Sequence, residues 1–152
     1  MSHTIQLAIG ISTLALAACS PDSYPPVEIL YSASGRIEKG TDGRASYTRA
    51  EDIPLRVGQG YGWCANIRTN KPKVKVIEQV TVAAPTTWGS TGSLVVSEEG
   101  RTAKVTRERD TATGVLCGAW SVGSDDPPGP VQVKVTIEEK VELQFNFVLK
   151  KP

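Results

Sequence analysis

From Val131 to Leu149 the chain alternates apolar and mostly polar residues with a period of two, and the phase carries across the interruption in the middle. Val131, Val133, Val135 and Ile137 form the first apolar set; Val141, Leu143, Phe145, Phe147 and Leu149 form the second. A period of two marks a strand with one buried face. Residues directly opposite in an antiparallel pair point to the same face. Both apolar sets are odd-numbered, so the connection between them holds an odd number of residues. A three-residue loop, Glu138-Glu139-Lys140, predicts Ile137 opposite Val141, Val133 opposite Phe145 and Val131 opposite Phe147. A two-residue turn at Glu139-Lys140 would set Glu138 against Val141 and is rejected. A slip by one residue would expose every one of these side chains, so the register is strongly specified.

The same period recurs upstream. Val27, Ile29, Tyr31, Ala33 and Ile37 form one face of a strand, with Glu28, Ser32, Ser34, Arg36 and Glu38 on the other. Gly40 to Gly43 reads as a turn. Ile53, Leu55 and Val57 form a short strand that Pro54 places at a sheet edge or a strand start. Gly60 to Arg68 sets Tyr61, Trp63, Ala65 and Ile67 against Gly62, Cys64, Asn66 and Arg68. Lys73 to Val82 is a further strand, Leu94 to Ser97 and Thr102 to Arg109 form a hairpin, and Gly114 to Val122 is apolar on both faces. Downstream of residue 26 no segment carries a helical period. Closely spaced turns between short strands predict an all-β antiparallel sandwich or barrel.

The N-terminus is different in kind. An apolar run from Leu7 ends in Leu16-Ala17-Ala18-Cys19. The run is too short to span a bilayer, which takes about 20 residues as a helix, and reads as the hydrophobic region of a signal peptide. Its end resembles the lipobox of bacterial lipoproteins. That resemblance implies lipidation of Cys19, cleavage before it and a membrane anchor of several acyl chains, which holds stably where a single chain does not. Ser20 after the cysteine is, by the same resemblance, compatible with the outer membrane facing the periplasm. Met1 to Gln6 lacks Lys and Arg, so the n-region is weak or the true start lies upstream. The expected organisation is a signal helix over 1–18, a lipidated Cys19 with a proline-rich stalk over 19–26, and a β-sandwich over 27–152. Three prolines in Ser20 to Pro26 make that stalk short and stiff.

With Cys19 taken by lipid, Cys64 and Cys117 remain as an even pair on the oxidising side of the membrane, the condition for one disulfide. Cys64 beside Trp63, Cys117 near Trp120 and about seven to nine short strands resemble an immunoglobulin-like sandwich in pattern, and the last hairpin is similar to small immunoglobulin-like domains of bacterial envelope proteins. One departure stands out. Both cysteines lie on the thinner apolar face of their strands, opposite the tryptophans, which implies a bridge between neighbouring strands or near the sandwich surface, not a central inter-sheet pin. Alternatively, a bulge near Gly62 or Gly118 resets the faces and restores a central inter-sheet pin.

Chemistry is sparsely represented. The only histidine is His3, within the signal peptide, so the mature chain has no Ser-His-Asp or Cys-His arrangement and no histidine metal ligand. No catalytic residue, metal ligand or cofactor is assigned. Gly58, Gly60 and Gly62 lack the strand-to-helix unit and the Lys-Ser/Thr pair of a phosphate loop and are read as serving turns and close backbone approach. The acidic pairs Glu51-Asp52, Glu98-Glu99, Asp125-Asp126 and Glu138-Glu139 read as solvated loop charges, without the spaced ligand pattern of a calcium site. Glu78 interrupts the apolar set Val74, Val76, Val80 and Val82, and the ordinary account is a β-bulge.

Two surfaces are candidates for a partner. Arg68, Lys71, Lys73 and Lys75 form a basic run that meets an anionic partner or, alternatively, protects an edge strand. Trp88 lies outside any alternation, as an interface anchor or as packing over the end of the sandwich. Seventeen basic against sixteen acidic residues give no case for nucleic acid. The expectation is a lipid-anchored envelope protein acting as a non-catalytic binding or structural module, its partner an envelope protein or the cell wall. An inhibitor or immunity-type lipoprotein that neutralises a toxin or hydrolase is the nearest alternative, and a carboxylate-based enzyme ranks below both.

Overall fold

The computed structural model describes residues 27–42, 45–90 and 93–152; the signal segment, Cys19 and the stalk lie outside these. Among the described residues there are ten strands: β1 (Glu28–Lys39), β2 (Ala45–Arg49), β3 (Asp52–Pro54), β4 (Gly60–Arg68), β5 (Lys73–Val82), β6 (Leu94–Val96), β7 (Thr102–Asp110), β8 (Val115–Ser121), β9 (Gly129–Ile137) and β10 (Val141–Lys150). They form a four-stranded sheet in the order β2-β1-β4-β8 and a six-stranded sheet in the order β3-β10-β9-β5-β7-β6. The count exceeds the seven to nine expected by β2, whose exposed, largely polar side chains carry no alternation.

The β9–β10 hairpin has the register that its alternation requires. Ile137 faces Val141, Val133 faces Phe145 and Val131 faces Phe147. Glu138 and Glu139 turn the chain with φ of 53° and 59°. Pro54 sits at a true edge: β3 pairs only with the end of β10, in parallel. That strand stops at Pro54, though, and Val57, expected to continue it, is 69% exposed. The β6–β7 hairpin is present with the expected partners.

Two phase assignments are corrected. In β1 the pairing with β4 shifts between Ile29 and Tyr31. The extra residue at Leu30 turns every later side chain to the other face. Tyr31 and Ala33 therefore lie opposite Asn66 and Cys64 on the outer face, while Ser32 and Ser34 lie opposite Ala65 and Trp63. The second correction concerns β5. Its pairing with β7 and with β9 is continuous, without a bulge, so Glu78 keeps the phase of Val76 and Val80 and is driven into the core, 1% exposed.

A carboxylate there requires partners, because an unpaired buried charge is strongly destabilising. Glu78 Oε2 accepts the indole N–H of Trp63 at 3.0 Å and that of Trp120 at 3.1 Å. Glu78 Oε1 lies 3.9 Å from the Arg107 guanidinium. The four strands come from both sheets: β5 and β7 in one, β4 and β8 in the other. Space for the carboxylate exists because residue 118 is glycine. A Cβ there would lie 2.1 Å from Glu78 Oε2 and 2.3 Å from Trp63 Nε1. Around this contact, Trp63 stacks on Phe145 with centroids 5.8 Å apart and Tyr61 meets Phe147 edge-on at 5.2 Å.

The disulfide lies elsewhere. Cys64 and Cys117 are directly opposite on the adjacent strands β4 and β8, bonded with their Cα atoms 4.1 Å apart, on the face turned away from Trp63, Leu116 and Trp120. It is the neighbouring-strand bridge, not an inter-sheet pin. Beside it, Gly62 allows β4 and β8 to approach, since a Cβ there would meet the Gly118 carbonyl at 2.1 Å.

Replacing Gly118 with Ala should cost about 1–3 kcal/mol in urea unfolding and disturb the near-ultraviolet circular dichroism of the tryptophans. Glu78→Leu, of comparable size, leaves two indole donors without an acceptor and should cost at least about 2 kcal/mol, whereas Glu78→Gln keeps one acceptor and should cost less. An unchanged midpoint for Glu78→Leu would show the carboxylate to be dispensable. The 53-residue separation of the bridged cysteines corresponds to about 4 kcal/mol of unfolded-chain entropy. The Cys64→Ala, Cys117→Ala double variant should lose stability on that scale, and the unreduced, unfolded parent should offer no reactive thiol at either position.

Candidate binding groove

β8 is the last strand of the smaller sheet, and the larger sheet extends beyond it through β7 and β6. The overhang leaves a groove of about 1020 Å³. It opens along the β8 edge towards the end of the sandwich where Gly60 and Ser121 pair. Ile37, Tyr61, Trp88, Leu94, Arg107 and Trp120 line it.

One wall is the segment after β5, and its conformation is held by side chains rather than by a ladder. Thr86 donates to Asp126 Oδ1 at 2.8 Å and Thr87 to Asp125 Oδ2 at 3.0 Å, while Asp126 Oδ2 accepts the Gly123 N–H at 2.8 Å. The Trp88 indole donates to the Gly100 carbonyl at 2.8 Å and packs edge-on against Trp120, centroids 6.2 Å apart. Trp88 therefore packs over the end of the sandwich and, half-buried, also presents a side to the groove. At the groove's mouth the Gln59 amide donates to the carbonyls of Ile37 and Gly60, both at 3.1 Å. Burial pushes the Tyr61 hydroxyl well above the ordinary phenol range, and the nearby Asp126 charge adds to the effect.

The basic run lies at the opposite end. Each of its cations faces an acid: Arg68 meets Glu28 at 2.9 Å, Lys75 meets Glu139 at 2.7 Å, Lys73 meets Glu108 at 3.9 Å, and Lys71 is hydrogen-bonded to Glu138. These are paired cations, not a free positive surface. Nor do they guard an edge, since β5 lies between β9 and β7. The acidic loop Glu138-Glu139 is thus their counterpart. The Lys71 hydrogen bond, then the Lys75 backbone N–H, holds Glu138 below the ordinary carboxylate value, and Lys75 does the same to Glu139.

Arg56, Arg107 and the pairing of Trp88 with Trp120 carried no distinct motif. For Arg107 a signal exists: it shares phase with Ala103 and Val105 of β7, which are buried. A charged residue in an inward-facing set marks a position where the facing layer ends or a partner is supplied. Among the described residues no cluster of three or more His, Cys, Asp or Glu is placed to hold a metal ion, and no helix is long and apolar enough to cross a membrane.

Two packed sheets of this kind, antiparallel except for β3, define an immunoglobulin-like β-sandwich. An immunoglobulin-like protein from Pseudomonas aeruginosa superposes with a TM-score of 0.58 over 84% of this chain and 99% of its own, at 11% identity, a likeness of fold. The chain belongs to the PM0630 beta sandwich domain family, whose model matches residues 33–150. No curated protein matches it.

The ion pairs at the Lys71–Lys75 end predict a pH dependence. A carboxylate whose folded pKa is depressed contributes stability above its unfolded value and loses it as pH falls through the folded one. Stability should therefore decline below the ordinary carboxylate value of 4.5, and Glu138→Gln should flatten that part of the profile. Equal pH slopes in urea titrations of the two proteins would overturn the assignment.

Proposed function

We propose that this chain is a lipid-anchored protein of the bacterial cell envelope whose β-sandwich acts as a non-catalytic binding module, with the Trp88–Trp120 groove as its contact surface. The observation that carries the reading is the position of the groove relative to the chain's entry. β1 begins at Glu28, opposite Arg68, at the end of the domain that holds the Lys71–Lys75 ion pairs. The groove opens towards Gly60 and Ser121, at the other end of β4. The nine residues of β4 correspond to about 30 Å of strand. A domain tethered through Cys19 and the stalk of Ser20 to Pro26 would present this groove away from the lipid surface.

The chemistry of the groove favours binding over turnover. Its two carboxylates are engaged: Glu38 with Arg36 at 3.0 Å, and Asp126 with Thr86 and the Gly123 N–H. Rigid aromatic side chains beside a few polar groups are what recognition surfaces use, because they bury area with little loss of side-chain freedom.

Cys19→Ser should shift the protein from the membrane to the soluble fraction, and an unchanged membrane fraction would overturn the anchoring. For the binding role, in-cell cross-linking at the groove rim should give a discrete adduct that Trp88→Ala weakens. Cross-linking only at the Lys71–Lys75 end would assign the contact surface to the other pole.

A further inference from the structure

We infer that the Cys64–Cys117 cystine is a redox latch: a protein dithiol reduces it while the sandwich stays folded, and reduction loosens β8. The inference goes beyond the binding role and depends neither on the anchor nor on what the groove holds.

Exposed cystines are the ones that exchange with thiols, whereas buried ones are inert. Cys117 is exposed and Cys64 half-buried. The side chains beside them on the outer face are small: Ala33 lies opposite Cys64, and the next pair along the face is Gly62 with Ala119. A thiolate attacks a disulfide sulfur in line with the bond that breaks, so access to each sulfur governs the rate. Cys117 stands on β8, beyond which its sheet has no further strand among the described residues. A nucleophile therefore reaches Cys117 from the open edge. There Arg109 donates to the Cys117 carbonyl at 3.0 Å, which fixes a cation beside the residue. A neighbouring cation stabilises a thiolate.

The exchange takes two steps. The thiolate of the dithiol bonds to Cys117 Sγ, the S–S bond breaks, and its electron pair leaves on Cys64 Sγ, which takes a proton from water. The second thiol of the dithiol loses its proton to water and attacks its own sulfur in the mixed disulfide. Cys117 then leaves as a thiolate beside Arg109. The dithiol ends as a disulfide, and two electrons have passed to the cystine.

The ladder explains why the sheet survives. The Ile67 N–H donates to the Gly114 carbonyl at 2.8 Å, and the Val122 N–H donates to the Gln59 carbonyl at 2.9 Å. Both pairs extend the register that sets Cys64 against Cys117. Hydrogen-bonded and non-hydrogen-bonded pairs alternate in an antiparallel ladder, so the two cysteines form a non-hydrogen-bonded pair. Cleaving the bridge removes no backbone hydrogen bond, and Glu78 still holds Trp120 from the inner face. What is lost is the covalent clamp on a strand with one neighbour. Ala119, Trp120 and Ser121 line the groove, so the loosening falls on its wall.

The test uses the full chain with Cys19→Ser, in which Cys64 and Cys117 are the only cysteines. The folded protein is treated with dithiothreitol, with a Cys-X-X-Cys dithiol protein and with glutathione. Reduction by either dithiol should rise in proportion to its concentration and run at least about tenfold faster than global unfolding. The far-ultraviolet circular dichroism should persist. Amide exchange at Gly118 and Trp120, taken relative to Val133 in β9, should rise at least about tenfold on reduction. Quenching the glutathione reaction with iodoacetamide should leave glutathione on Cys117 and the alkyl group on Cys64. In the reduced protein, Arg109→Gln should raise the midpoint pH of Cys117 alkylation. Reduction at a rate set by unfolding and independent of dithiol concentration would make the bridge purely structural and overturn the inference. Loss of the sheet on reduction, an unchanged exchange ratio, glutathione on Cys64 instead, or a midpoint that Arg109→Gln leaves in place would do the same. Cross-linking at the groove rim tests the binding role separately from all of these.

Discussion

The Glu78 carboxylate holds the two sheets together by giving both tryptophan indoles, Trp63 from β4 and Trp120 from β8, the same acceptor oxygen. Each partner would be a defect without the others. An indole N–H in a core needs an acceptor, a buried carboxylate needs donors, and the oxygen fits only because Gly118 has no side chain. Many other features follow from this contact. It sets the spacing between β5 and the β4–β8 pair, and it holds Trp120 at the β8 edge. It also draws Arg107 towards the interior of β7's inward face. Polar contacts of this sort specify one arrangement of two apolar layers that could otherwise slide.

In immunoglobulin-like domains with a central cystine, the cross-link between sheets is covalent and packs on a tryptophan. Here the covalent bond and the inter-sheet contact are separated. Cys64–Cys117 ties neighbouring strands on the outer face, where it restricts the unfolded chain and fastens β8, the last strand of its sheet. The central position is polar. A strand with only one neighbour, clamped by a disulfide on one face and an indole hydrogen bond on the other, can stay in place while part of its free edge remains unpaired. That is the physical basis of the groove, because elsewhere the edge is covered by Arg109 and Thr113.

Polarity along the long axis gives the domain its layout. At the entry of β1, cations and acids are matched pair by pair, so that end carries little net field. At the far end, side-chain hydrogen bonds rather than ladder pairs hold Thr86 and Thr87 against Asp125 and Asp126. Surface ion pairs contribute little to stability, so the matched end shapes charge more than it strengthens the fold. The groove end, by contrast, combines aromatic surface with backbone groups of β8 that are unpaired among the described residues.

Much of this was readable along the chain, and the limits have a common cause. Alternation with period two is a local property, so the β9–β10 register, the edge position of Pro54 and the face of each cysteine followed from residue order and strand geometry. The same rule misread β1 beyond Leu30, because a bulge changes phase without changing composition. It also misread Glu78, because a charge in an apolar set means either a slipped phase or a buried partner, and no local pattern distinguishes them. The partners, Trp63 and Trp120, lie 15 and 42 residues away and meet the carboxylate only when two sheets close. The groove has the same origin. Its lining comes from strands of both sheets, and its open backbone groups depend on which strand ends a sheet. Residue order set the strands and their faces; the stacking of one sheet on a wider one made the pin, the free edge and the surface offered to a partner.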